Sequence, residues 1–174
     1  MKKLVGANLQ RLSVSEFKTV QKWPFIVVLD NVRSMNNVGS MMRSSDAFLC
    51  QKMILCGITA KPPHREITKT AIGAENSVSW QYQEHTIDAV KDLKLQGFVV
   101  YAIEQTSNSV FLQEMKFSER EVAFVFGNEI DGVDAEVIAL CDGVIEIPQL
   151  GTKHSFNIAV SCGMVLWEYA RTRV

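Results

Sequence analysis

Five short runs set the strongest limit on the fold: PFIVVLD (24–30), KMILCG (52–57), FVVYAIE (98–104), VAFVFG (122–127) and GVIEIP (143–148). They are continuously apolar and rich in β-branched and aromatic residues. Runs of this kind mark strands buried on both faces, because a strand with one wet face would alternate. Helix-forming stretches separate them. Asn36 or Asn37 can cap a helix reaching about Leu49, and Asp134 a short one through Leu140. Thr86 can cap a helix from Ile87 to about Gln96, closed by Gly97. VSWQY reads as a further short strand, KPPHREITKTAIGAE as a loop with one short helix, and Phe156 to Arg171 as a final helix. Strand–helix alternation predicts an α/β domain with a mainly parallel sheet and helices on both faces. Ligands in such sheets sit beyond the carboxyl ends of the strands. Those ends carry Asp30-Asn31, Gly57, Glu104-Gln105, Gly127-Asn128-Glu129 and Pro148-Gln149, so polar residues collect where a site belongs.

The chain has 174 residues, enough for one domain with a short appendage. The composition, 47% hydrophobic and 21% charged, is that of a globular protein and excludes a disordered or collagen-like chain. No apolar run reaches the roughly 18 residues of a transmembrane helix. The start, MKKLVGANLQRLS, lacks the apolar stretch of a secretory signal. Cys50, Cys56, Cys141 and Cys162 form no C-x-x-C pair and sit among apolar neighbours, which suits free thiols in a reducing cytoplasm. The net charge of −1 argues against a wholesale polyanion binder but leaves room for a local patch. One is in view: residues 1–23 carry Lys2, Lys3, Arg11, Lys18 and Lys22 against Glu16 alone, a local net charge of +4. Leu9, Leu12, Phe17 and Val20 recur there at helical spacing, so the chain divides into a basic amphipathic segment, 1–23, ended by Pro24, and a domain, 24–174.

The final helix is apolar almost all round: Ile158, Ala159, Val160, Cys162, Met164, Val165, Leu166, Trp167 and Tyr169 leave no polar stripe. Such a helix must be covered all round, which for a terminal helix of a small domain favours a subunit interface.

Familiar catalytic patterns fail. There is no G-x-G-x-x-G after the first strand, no P-loop and no G-x-S-x-G. His64, His85 and His154 lack metal-ligand spacing to each other or to cysteine, so no metal is expected. Three clusters remain. The first runs from Asn31 through Arg33, Asn36, Asn37 and Gly39 to Arg43, from a strand end into a helix. Asn37 reads as a cap or loop-orienting residue, and Gly39 allows close backbone approach. Asn37 and Arg43 lie about 120° apart around a helix, so Arg43 projects from the second turn on another face. Local sequence alone favours a surface ion pair of Arg43 with Asp46 at i+3. The second cluster, Gly127-Asn128-Glu129-Ile130-Asp131-Gly132, makes a tight turn directly after a strand; it would suit a nucleoside or amino-acid ligand held by backbone groups or be a plain Asp-Gly turn. The third, from Ile147-Pro148 to Ser155-Phe156-Asn157, joins the last strand to the apolar helix, with Ser155 a possible N-cap.

Together the clusters resemble the SpoU branch of the SPOUT superfamily, S-adenosylmethionine-dependent RNA ribose 2′-O-methyltransferases. The first family motif, Asn-x-Gly then Arg, is matched by Asn37, Gly39 and Arg43; the second, Gly-x-Glu-x-x-Gly, by Gly127, Glu129 and Gly132. The third, Ile-Pro then Ser-Leu-Asn, is matched by Ile147, Pro148, Ser155 and Asn157, with Phe156 in place of Leu. Thr70-Ala-Ile-Gly73-Ala74 also looks like a family segment.

The resemblance implies an α/β fold with a C-terminal deep trefoil knot, which no periodicity would suggest because threaded chains are rare. It implies a cytoplasmic homodimer joined through the C-terminal helix, with tRNA or rRNA as partner and S-adenosylmethionine as cofactor. Arg43 matches the catalytic arginine. Asn37 and Glu129 would shape the pocket and orient Arg43, and Ser155 and Asn157 would place ribose or cofactor. The cofactor would be gripped around Ile103, Gly127, Ile147, Ser155 and Asn157. For the RNA, Arg33, Lys61, Arg65 and Lys69, with His64 and the basic N-terminal segment, are the candidate phosphate contacts. An RNA- or nucleoside-binding module on the same fold, without turnover, is the alternative.

Overall fold

The computed structural model describes Lys3, Leu9, residues 11–117, residues 121–171 and Arg173. Among these residues seven strands, β1 (Trp23–Asp30), β2 (Cys50–Cys56), β3 (Trp80–Gln83), β4 (Val99–Ile103), β5 (Val110–Phe111), β6 (Val122–Phe126) and β7 (Gly143–Glu146), form one sheet. Their order is β3-β2-β1-β6-β4-β7-β5, and every pairing is parallel. The helices are α1 (Val14–Thr19), α2 (Met35–Ala47), α3 (Arg65–Ala71), α4 (Ala74–Ser77), α5 (Thr86–Leu95), α6 (Ala135–Leu140) and α7 (Ile158–Ala170).

The continuous apolar runs are explained by two cores. On one face Phe25, Val27, Leu29, Leu55, Phe124 and Phe126 meet side chains of α2, α3 and α7. On the other, Ile26, Val28, Val100, Ala123 and Val125 meet Ala89, Val90 and Leu93 of α5 and Val137 of α6. The central strands β1 and β6 therefore bury nearly every residue. Tyr169 of α7 is fully buried and packs its ring against Phe25, Phe117 and Phe124 at centroid distances of 5.1, 5.4 and 5.9 Å. All four cysteines are free; burial pushes Cys50 and Cys56 up to about 12 and Cys141 to about 11, and raises Cys162 further.

Several expected boundaries shift. Ser34, not Asn36 or Asn37, caps α2, accepting from the Asn37 N–H at 3.2 Å. Thr86 does not cap α5; its hydroxyl turns inward to the buried Asp30 carboxylate at 2.5 Å, while Gly97 does follow the helix at φ +91°. The stretch expected to hold one short helix holds two, α3 and α4, and α7 begins at Ile158, capped by Asn157, rather than at Phe156. Of the basic segment 1–23, Lys2 and part of the stretch around Leu9 lie outside the described residues. Within the described residues its helix is only the six of α1, which buries Phe17 while Leu9 and Leu12 stay exposed. Pro24 does not end that segment but is the second residue of β1.

A candidate active site at the carboxyl edge of the sheet

β1, β2 and β3 are laid down in one direction across the sheet, whereas β4 and β7 lie on the other side of β1, beyond β6. Ligands favour the carboxyl ends of strands where the order reverses in this way. A cavity of about 480 Å³ opens there, past the ends of β4, β6 and β7. Its floor is Ile103, Phe126, Ile145 and Ile147, and its walls include Gly127, Glu129, Ser155 and Asn157. Every cofactor candidate named from sequence (Ile103, Gly127, Ile147, Ser155 and Asn157) therefore lines one cavity.

The turn after β6 is built by its own polar groups. Asn128 and Gly132 exchange backbone hydrogen bonds of 3.0 and 3.2 Å, and the Asn128 Oδ1 accepts from the N–H groups of Ile130 and Asp131, both at 2.9 Å. Gly127 has no room for a side chain: a Cβ would fall 1.9 Å from the Gly132 carbonyl carbon. Gly132 itself has φ +72°, which favours glycine. This loop carries Glu129 outward to the start of α2. There the Glu129 carboxylate accepts from the Arg33 and Ser34 N–H groups, both at 3.1 Å, and from Asn37 Nδ2 at 2.9 Å. Partial burial works against the charge, but these hydrogen bonds outweigh it and hold the carboxyl below its usual range.

The chain of contacts continues. Asn37 Oδ1 accepts from Asn157 Nδ2 at 3.1 Å, and Asn157 Oδ1 caps α7 by accepting from the Ala159 N–H at 2.9 Å. Ser155 is thus not the N-cap; it lines the cavity instead. The loop before it is pinned where the Gln105 and Gln149 side-chain amides both donate to the His154 carbonyl, at 2.8 and 3.4 Å. Gly39 lets α3 approach α2, since a Cβ would meet Thr70 Oγ1 at 2.2 Å and the Ile67 carbonyl at 2.3 Å. The Thr70 hydroxyl donates to the Asn36 carbonyl at 2.9 Å, which ties the Thr70–Ala74 segment to the first cluster.

Arg43 stands apart. Six residues beyond Asn37 on α2, and roughly 9 Å further along its axis, it is exposed and has no ion pair or hydrogen bond among the described residues. The ion pair with Asp46 favoured by local sequence does not form; Asp46 instead accepts a hydrogen bond from the Ser77 hydroxyl. Neither Asn37 nor Glu129 hydrogen-bonds to Arg43. Among the RNA candidates, Arg33 sits beside the Glu129 loop, 4.0 Å from Asp131, and Lys61, Arg65 and Lys69 are exposed on and before α3. Lys61 lies 3.7 Å over the Tyr82 ring, Lys69 is 3.9 Å from Glu66, and His64 Nδ1 accepts from the Glu66 N–H at 3.2 Å.

Sequence reading gave Glu104, Gln105 and Gln149 no roles, although their places at strand ends were the signal. Asp30 was likewise passed over. Its buried carboxylate accepts from Thr86, from Asn31 Nδ2 at 2.9 Å and from the Asp134 N–H at 3.0 Å, joining β1 to the starts of α5 and α6. Among the described residues no group of histidines, cysteines and carboxylates is arranged to hold a metal ion. No described helix is long and apolar enough to cross a membrane.

This mainly parallel sheet with its flanking helices is the architecture of a class of RNA-modifying methyltransferases. It matches an AdoMet-bound rRNA methyltransferase from Sinorhizobium meliloti with a TM-score of 0.82 and 26% identity, over 91% of this chain and 60% of that one. Residues 24–167 match the model of the SpoU rRNA Methylase family, and the chain belongs to that family. A tRNA (guanosine(18)-2′-O)-methyltransferase of Thermus thermophilus is 30% identical over 85% of this chain and 75% of its own length. A 23S rRNA (guanosine-2′-O-)-methyltransferase of Neisseria meningitidis is 29% identical over 87% and 60%. The chain thus spans three quarters of the Thermus relative and about 60% of the Neisseria and Sinorhizobium ones.

Proposed function

We propose that the protein transfers a methyl group from S-adenosylmethionine to a ribose 2′-hydroxyl of structured RNA, tRNA or rRNA. The observation that carries this is the hydrogen-bonded chain Glu129–Asn37–Asn157, which draws one residue from each of three family motifs to the mouth of one cavity. The cofactor supplies a methyl on a cationic sulfonium, so the chain's task is to align it with an oxygen nucleophile and exclude water. The apolar floor of Ile103, Phe126, Ile145 and Ile147 suits an adenine ring, and the backbone of the Gly127 turn, kept bare by the absence of a Cβ, suits its polar edge. Ser155 and Asn157 place the ribose or the cofactor at the cavity mouth.

Arg43 stays protonated at any working pH and is a poor base. Its role in this reading is to hold an RNA phosphate and to lower the hydroxyl's pKa by its charge. Its unpaired, exposed state leaves the guanidinium available for both. Arg33, Lys61, Arg65 and Lys69, all exposed, serve in this reading as contacts for further RNA phosphates. The C-terminal segment forms the trefoil knot of the family: support comes from α7, which leaves β7 beyond β4 yet returns to pack on α2 and Phe25 of the central β1. Two chains pair through α7, because Val160 and Trp167 are about half exposed along it and Phe156 is 40% exposed just before it. RNA as substrate and four free thiols fit a cytoplasmic protein.

The test is methyl transfer from labelled S-adenosylmethionine to total tRNA and rRNA, followed by mapping of the modified ribose. Label recovered in a 2′-O-methylated nucleotide is the expected result. RNA binding without any transfer would favour the non-catalytic alternative.

A further inference from the structure

Among the described residues the ionisable side chains lining the cavity are all acidic: Glu104, Glu129 and Asp131, with no lysine, arginine or histidine. Two of the three have partners that account for them. Glu129 is taken up by three donors at the start of α2. Asp131, mostly exposed at the rim, faces Arg33. Glu104 differs. It is partly buried at the end of β4, and no cation pairs with it among the described residues. Its Oε1 accepts from the Gln105 N–H at 2.8 Å and its Oε2 from the Val133 N–H at 3.1 Å. A carboxylate can accept at about four lone-pair positions, so half of its capacity stays open. Gly132 makes room for it, since a Cβ there would lie 2.0 Å from Oε2. The carboxylate is thus held rigidly against the cavity with its charge uncompensated.

We infer that Glu104 is a charge-specificity residue, which makes the cavity prefer the cationic sulfonium cofactor over its neutral thioether product. This rests on the reading of the cavity as the S-adenosylmethionine site. Substrate and product differ there by a methyl group and one positive charge. An apolar floor with backbone donors would bind the two about equally and leave the enzyme open to inhibition by its own product. A fixed, partly desolvated negative charge acts on the difference alone, because a Coulomb interaction in a site of reduced dielectric vanishes with the charge of the ligand.

Isothermal titration of the full chain with S-adenosylmethionine, S-adenosylhomocysteine and sinefungin, which carries an ammonium where the sulfonium stands, tests the inference. In Glu104→Gln the two cationic ligands are expected to weaken on the order of tenfold, while S-adenosylhomocysteine changes less than twofold. Glutamine still accepts from Val133 but cannot also accept from Gln105. A merely structural role would therefore weaken all three ligands alike, and that result overturns the inference. So does an unchanged affinity for all three. If the variant does not fold, the wild type decides: it binds S-adenosylmethionine and sinefungin on the order of tenfold more tightly than S-adenosylhomocysteine, and equal affinities overturn the inference. Binding of all three without charge preference leaves the methyltransferase reading standing. Binding of none by the wild type removes that reading and the inference with it.

Discussion

Asn157 donates from Nδ2 to the Oδ1 of Asn37 across 3.1 Å, although 120 residues separate them in the chain. Each asparagine has its other end engaged. Asn157 Oδ1 caps α7, and Asn37 Nδ2 reaches Glu129. The arrangement fixes both amide orientations, because each oxygen faces donors and the Asn37 nitrogen faces a carboxylate. Two helices and the β6 loop are thereby locked to one another at the cavity mouth.

That relationship separates capping from site assembly. In Asn157→Asp the cap persists, since aspartate caps as well as asparagine, but the donor to Asn37 is lost and two oxygens face each other. Thermal stability should change little while methyl transfer falls tenfold or more. Asn157→Ala loses the cap as well and should cost about 1 kcal/mol of stability. Parallel melting curves and single-turnover rates distinguish the two effects.

Arg43 is exposed and has no ion pair or hydrogen bond among the described residues, so its replacement should leave the fold untouched. Arg43→Ala is expected to shift stability by no more than about 0.5 kcal/mol while lowering methyl transfer roughly 100-fold or more. Arg43→Lys keeps the charge and loses the planar fork, so partial activity would identify charge, and complete loss bidentate phosphate contact, as the essential property. Normal turnover in Arg43→Ala would remove the residue from the site.

The Glu129 carboxyl lies below its usual range because Asn37 and two backbone N–H groups hold the charged form. A depressed folded-state pKa stabilises the folded form fully above the unfolded value, about 4.3. The contribution is lost as pH falls through the folded value. Wild type should therefore lose stability more steeply than Glu129→Gln on acidification below about pH 4.5, the two curves converging at low pH. Chemical denaturation across that range reads the difference.

The five main strands and their order of appearance were legible from their apolar runs, because a strand buried on both faces is apolar along nearly its whole length, as β6 is throughout and β1 is up to Asp30. β5 was not legible: two residues, Val110 and Phe111, carry no period. Helix starts were legible only to within a few positions. Ser34, Asn36 and Asn37 are all competent caps, and the choice is made by Glu129, which recruits Asn37 for another purpose. Thr86 was misread for the same reason, since its partner Asp30 is 56 residues away. The residues that line the cavity were visible from motif and strand end together. The pairing of Glu129 with Asn37, and of Asn37 with Asn157, is tertiary and has no local signature.

Gly127 occupies a position where backbone meets backbone. A Cβ there would sit 1.9 Å from the Gly132 carbonyl carbon and 2.1 Å from the Val133 nitrogen, neither of which can swing aside as a side chain could. Gly127→Ala must open the Asn128–Gly132 pair, with a cost of about 1–3 kcal/mol and loss of cofactor binding by calorimetry. Gly151→Ala is the matched control, because nothing lies within 4 Å of its Cβ position and stability should not move.

Trp167 is 53% exposed on α7, one face of which is sealed by the fully buried Cys162, Val165, Leu166 and Tyr169. Its only described ring contact is Phe48, at 6.4 Å. With Val160 a helical two turns earlier, it leaves apolar surface on the outer face that water covers poorly. Burying that surface in a second copy predicts a dimer in solution, measurable by sedimentation equilibrium or light scattering. Trp167→Glu places a charge on the stripe without touching the inner face, so the monomer should appear with its melting transition largely retained at high protein concentration. If Trp167→Glu and wild type sediment identically, α7 is not the joining surface.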